Sequence, residues 1–134
     1  MKLNSIDKTA LADIRIKKAK ETLEEVKGNI GLGYWRVAAN RLYYACFYAV
    51  SALLIKRGIT AHTHTGVINQ LSLHFISKGI ISSEQGKLYK HLFELRQTGD
   101  YDDWVYIEKE DVLHLLEPAE QFINEIENLI NKNN

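Results

Sequence analysis

One cysteine, one proline and no excess of either charge distinguish this 134-residue chain. The lone Cys46 has no intrachain disulfide partner, which excludes a disulfide-stapled scaffold and predicts a reducing, cytoplasmic compartment. Lys2, Asn4, Asp7 and Lys8 interrupt the first residues, where a secretory signal would need an apolar stretch and a small-residue cleavage site. No uninterrupted apolar run is long enough to cross a bilayer, so no membrane association is expected. Internal repeats, low-complexity segments and linkers are also missing. The length therefore suits one domain, residues 1–134, large enough to bury a core without staples.

What is present is an ordinary globular composition, 46% hydrophobic and 25% charged. The zero net charge conceals an uneven distribution. Residues 29–96 carry eight basic side chains against two acidic ones, whereas the chain from Gln97 onward carries ten acids against Lys109 and Lys132. Such an arrangement either creates a basic and an acidic face or pairs off between neighbouring helices.

Helical periodicity dominates and strand alternation is nearly absent, which predicts an all-α fold of about five helices. Leu11, Ile14, Ile16, Ala19, Leu23 and Val26 recur at three- and four-residue steps, predicting a first helix from Asp7 to about Lys27 with Gly28 as its stop. A second helix, apolar over most of its circumference, is expected from about Tyr34 to Arg57, closed by Gly58. Residues 59–65 form a loop with candidate N-caps, and a third helix is expected over about Gly66–Ser77, ended by Gly79. Ser82 and Gln85 form a capping-box pattern for a fourth helix reaching Thr98, with Gly99 just past its end. The last helix is expected from near Glu108 to Asn131. Pro118 cannot donate to the carbonyl of His114, so a kink or restart is predicted there.

Two constellations could carry chemistry. On the second helix Arg41, Tyr44 and Tyr48 share a stripe flanked by Tyr43 and Phe47. A charge in so apolar a helix needs a partner to offset its desolvation, and an acid from Asp100–Asp103 is expected to supply it. Farther on, Arg96 precedes Asp100 and Tyr101. Its forked donors suit a phosphate or carboxylate, or else lock the fold through Asp100 four residues away. His62 and His64 have a metal-ligand spacing, but no acid or cysteine accompanies them locally, and no metal or other cofactor is expected. Cys46, on the most apolar helix, reads as a small hydrophobe rather than a nucleophile.

Three strings, Ala39-Asn40-Arg41-Leu42-Tyr43-Tyr44-Ala45-Cys46-Phe47-Tyr48-Ala49, Thr63-His64-Thr65-Gly66-Val67, and Leu95-Arg96 with Gly99-Asp100-Tyr101-Asp102, resemble the small stand-alone HEPN (higher eukaryotes and prokaryotes nucleotide-binding) proteins. The resemblance runs from the first helix to the last. It implies an up-and-down helical bundle, commonly a homodimer, paired with a minimal nucleotidyltransferase in a toxin-antitoxin-like system. Active members are metal-independent endoribonucleases in which an Arg, followed after four to six residues by a His, acts at the dimer cleft. By that resemblance Arg96 holds phosphate charge, but Tyr101 stands where the His belongs, and an unperturbed phenol titrates near pH 10. His64, brought from the loop before the third helix, is the expected substitute. The implied catalytic set is then Arg96, His64 and Tyr101, supported by Arg41, Tyr44 and Asp100. The alternative is a non-catalytic nucleotide-binding or protein-interaction module in which these residues only brace the bundle. A further implication is that Tyr101 or another exposed Tyr is modified by the nucleotidyltransferase.

Overall fold

The computed structural model describes residues 3–132, which contain helices and no strand. Helix α1, Ser5–Gly31, starts where Asn4 Oδ1 accepts the backbone N–H of Asp7 at 2.8 Å. It buries Ala12, Ile16, Ala19, Leu23 and Val26 along one face. Gly28 does not stop it, contrary to the expectation. One interior glycine costs only about 1 kcal/mol against alanine, too little to end a helix whose apolar face continues. The stop is Gly33, at φ +75°, where the N–H groups of Gly33 and Tyr34 bond to the carbonyls of Ile30 and Asn29 at 3.0 and 2.9 Å.

Helix α2, Trp35–Lys56, packs against α1 and against every later α-helix, which explains its apolar circumference. By length and composition it is apolar enough to span a bilayer, yet 61% of its most apolar stretch is enclosed by the rest of the fold. Its fully buried residues include Tyr43, Leu42 and Leu53, and Gly58 closes it at φ +71°, as expected. Helix α3, His64–Leu71, begins two residues before the predicted Gly66 because Thr63 Oγ1 caps the N–H of Gly66 at 2.9 Å. The predicted single helix to Ser77 is instead α3 followed by a wide π turn, Ser72–Ile76, closed by the Ser77 N–H on the Ser72 carbonyl at 2.9 Å. That turn places Phe75 in the core.

Helix α4, Ser83–Tyr101, is capped by Ser82 Oγ on the Gln85 N–H at 3.1 Å, but only this half of the box forms. The Gln85 side chain turns away and donates to Glu125 Oε2 at 2.8 Å. Gly99 does not end α4. A Cβ at Gly99 would stand 2.6 Å from Ile107 Cδ1, so the glycine serves close packing of the following segment rather than a turn. Helix α5, Lys109–Val112, leads through a 3₁₀ turn, Leu113–Leu115, into α6, Leu116–Asn131. Pro118 lies in the first turn of α6, where its missing N–H costs nothing, so the predicted restart occurs just before it. Counting α5 with α6 gives the five helical rods expected of the bundle.

The charges pair in a pattern that the sequence left open. The acids of α6 meet α1, in Lys20–Glu127 at 2.7 Å and Lys27–Glu120 at 3.5 Å. Among the described residues, only Arg36 and Arg96 of the basic 29–96 stretch form ion pairs with the acidic tail, and both share Asp100.

Candidate functional site

Arg96 projects from the penultimate turn of α4 into the bundle and is only 7% exposed. Three phenol rings surround its guanidinium, those of Tyr43, Tyr44 and Tyr101, with centroids 5.4, 5.3 and 6.0 Å from Cζ. Such faces attract a cation but cannot accept its N–H groups in the plane of the fork. Asp100 Oδ2 lies 3.6 Å from Nη1, close enough for Coulomb attraction and too far for a hydrogen bond. Nε is buried and unpartnered among the described residues. A guanidinium so enclosed, with its donors unmatched by its own chain, has the bonding capacity for an anion.

Asp100 is kept from closing on Arg96 by other partners. Asn40 Nδ2 donates to Asp100 Oδ2 at 3.0 Å, and Arg36 Nη1 stands 4.0 Å from Oδ1. The carbonyl of the same Asn40 accepts Arg41 Nε at 3.2 Å. Contrary to the expectation from sequence, Arg41 does not pair with the Asp100–Asp103 cluster. Its acid is Glu25 of α1, at 3.7 Å, and its guanidinium also lies 5.0 Å from the Tyr44 ring. The reason is geometric: α1 and α2 form an antiparallel pair through a short turn, which puts Glu25 alongside Arg41, while Asn40 already occupies Asp100.

His64, the first residue of α3, packs against Phe47, Tyr43 and Tyr44 with ring centroids 4.8, 5.5 and 5.8 Å away. Its Nδ1 is 2.6 Å from the Tyr43 hydroxyl. Burial, and then the positive charge of Arg96, lower its pKa below the usual histidine value. Burial pushes the Tyr43 phenol up to about 12 and raises Tyr89 well above its ordinary value. The Cys46 thiol is raised too, by complete burial, which removes it as a nucleophile at neutral pH.

The structure thus brings Arg96, His64, Tyr44 and Asp100 together, with Arg41 at the edge and Tyr101 covering the guanidinium while itself 75% exposed. It leaves His62 outside the cluster, and no three His, Cys, Asp or Glu side chains among the described residues converge as metal ligands. Sequence reasoning missed Asn40, Arg36 and Tyr43 as members. The signal was available in part: Arg36, Asn40 and Tyr43 recur at helical steps on the face of α2 that meets α4. Beside the cluster, Arg36, Gly99, Asp100, Asp102, Tyr106 and Ile107 line an open cleft.

Similarity to known proteins agrees with this architecture. A HEPN domain model matches residues 12–129. A UPF0332 protein of Thermotoga maritima is 40% identical over 114 residues, covering 85% of this chain and 86% of that one. A Methanocaldococcus jannaschii protein named "Putative toxin MJ0142" is 33% identical over 119 residues, covering 88% and 81%. The crystal structure of TT1696 from Thermus thermophilus superposes with a TM-score of 0.75 over 87% of this chain and 96% of that one; at 18% identity it speaks for the fold alone. An all-α bundle, a match over most of the length and relatives that share it lead to one conclusion: this chain belongs to the HEPN domain family.

Proposed function

We propose that this chain is a toxin-like HEPN protein that engages RNA through a phosphate held at Arg96 and His64, acting as a homodimer whose partner is a nucleotidyltransferase. The observation that carries the reading is the state of the Arg96 guanidinium, enclosed by phenol rings with no hydrogen bond to the described residues and Asp100 held at 3.6 Å. A phosphate oxygen offers the in-plane acceptors that these rings lack. Two similar proteins carry toxin in their names, which supports the toxin-like part. Partner contact is supported by Trp104 and Tyr106, which are 92% and 82% exposed in a single copy, Tyr106 lining the cleft beside Asp100.

Cleavage of the bound strand would need a proton acceptor or donor near neutrality. Tyr101 has a phenol in the place of the family's histidine, so His64 is the group on which endoribonuclease activity depends. The second reading, a non-catalytic module braced by the same residues, is favoured by the depth of Arg96 and its contact with three rings. RNA binding and cleavage by the intact chain, Arg96→Ala and His64→Ala separate the two. The expected result is loss of binding in Arg96→Ala and weaker binding in His64→Ala, with any cleavage abolished in both. Equal behaviour of all three proteins sinks the proposal.

A further inference from the structure

His64 is held through one nitrogen only. Its Nδ1 meets the Tyr43 hydroxyl at 2.6 Å, while Nε2 has no hydrogen-bond partner among the described residues. A contact this short holds one proton between oxygen and nitrogen, so either the phenol donates to Nδ1 or an Nδ1–H donates to the phenol.

The surroundings of Tyr43 decide between them. Its side chain is fully buried, and its hydroxyl meets His64 Nδ1 at 2.6 Å. Around it lie the rings of Tyr44, Phe47 and Phe93 and the Arg96 guanidinium, none of which makes a hydrogen bond to it, and the Tyr89 phenol, whose buried hydroxyl has no other partner among the described residues. If Nδ1 carried the proton, the Tyr43 O–H could turn only to the Tyr89 oxygen, and the Tyr89 O–H would then be buried with no acceptor, a desolvated donor of the kind that proteins avoid. With Tyr43 donating to Nδ1, its oxygen is free to accept the Tyr89 O–H, and both phenol donors are matched. Its high pKa, about 12, keeps the proton on Tyr43 at all physiological pH.

Resting on the RNA-binding reading above, we infer that Tyr43 is a positioning residue: it donates to His64 Nδ1 and fixes the imidazole as the Nε2–H tautomer, so that His64 and Arg96 together offer N–H donors to an RNA phosphodiester. With Nδ1 occupied and Nε2 carrying the proton, neutral His64 has no free lone pair. It therefore meets the phosphate as a hydrogen-bond donor through Nε2–H. Arg96 reinforces this by opposing a second proton on the ring.

Long-range proton–nitrogen NMR correlation on the ligand-free, full-length chain at neutral pH tests the tautomer directly, with His64→Gln identifying the His64 signals. The expected spectrum has a protonated Nε2 and a bare Nδ1, and in Tyr43→Phe the two tautomers become mixed. A protonated Nδ1 in the unaltered chain, or a His64 spectrum unchanged by Tyr43→Phe, overturns the inference. In the second arm, Tyr43→Phe is expected to bind a labelled mixed-sequence oligoribonucleotide about five- to tenfold more weakly, the effect of misdirecting one hydrogen bond to a charged group. Unweakened binding overturns the ligand part. The tautomer of the unaltered chain is read without RNA and without any variant having to fold, so a wrong tautomer counts against Tyr43, whereas the expected tautomer with no RNA binding by the unaltered chain counts against the function proposed above.

Discussion

Arg96 and His64 lie against the same two phenol rings, those of Tyr43 and Tyr44, although one comes from the end of α4 and the other from the start of α3. The guanidinium and the imidazole are thus held side by side by aromatic packing, with no hydrogen bond from Arg96 fixing it to the described fold. Packing of this kind positions a cation without using its donors.

Replacement of Arg96 by methionine follows from that arrangement. Met fills similar volume and makes favourable sulfur–aromatic contacts, while the buried Nε that has no partner disappears. Asp100 keeps Asn40 and Arg36. Arg96→Met is expected to change the free energy of unfolding by no more than about 1 kcal/mol in urea titrations. A loss of about 3 kcal/mol or more would identify Arg96 as an internal brace.

Asn40 holds Asp100 with its amide and Arg41 with its carbonyl. Asn40→Ala removes two partly buried hydrogen bonds, for an expected loss of about 2 kcal/mol by denaturant unfolding. It also frees the Asp100 carboxylate to close the 3.6 Å gap onto Arg96. RNA binding measured by fluorescence anisotropy should weaken more than the loss of stability explains.

Acid should destabilise the fold through His64. Its folded pKa lies below the ordinary value of about 6.5, so on acidification the unfolded chain takes up the proton first. Stability is fully present above pH of about 6.5 and falls as pH drops from there towards the folded pKa. His64→Gln is expected to flatten this slope when urea midpoints are compared across the window; an unchanged slope would place the titration elsewhere.

Two of the seven tyrosines should resist base. Tyr43, pushed up to about 12, and Tyr89, raised well above its ordinary value by burial, retain their protons when an exposed phenol ionises near pH 10. Because the unfolded chain ionises these groups first, stability is present below about pH 10 and declines as pH rises towards 12. Ultraviolet titration of the folded protein should show both phenols lagging until alkaline unfolding, and Tyr43→Phe should remove one of them.

The helices were legible because their apolar spacing is long and regular, and Ser82, Thr63, Gly58 and Gly79 announce real boundaries. Gly28 and Gly99 misled for opposite reasons. Around Gly28 nothing stands within 4 Å of a Cβ position, so it is simply a tolerated interior residue, while Gly99 lets the Ile107 side chain pack closely, and Ile107 arrives from a later segment that local pattern cannot see. The π turn at Ser72–Ile76 left no sequence signal that spacing could detect. In the candidate site, Arg96, His64, Tyr44 and Asp100 were legible from their strings, but the choice of partners was not. Glu25 for Arg41 and Tyr43 for His64 depend on how helices cross, a tertiary relation that single-helix periodicity does not contain.

The most direct measurement is equilibrium binding of a labelled oligoribonucleotide to the unaltered chain and to Arg96→Met at equal ionic strength, with the unfolding midpoint of each recorded alongside. At least about a tenfold loss of affinity is predicted in Arg96→Met with the midpoint retained, since a charge-assisted contact to phosphate is removed and the packing is not. Equal affinity of the two proteins would contradict a phosphate-holding role for Arg96.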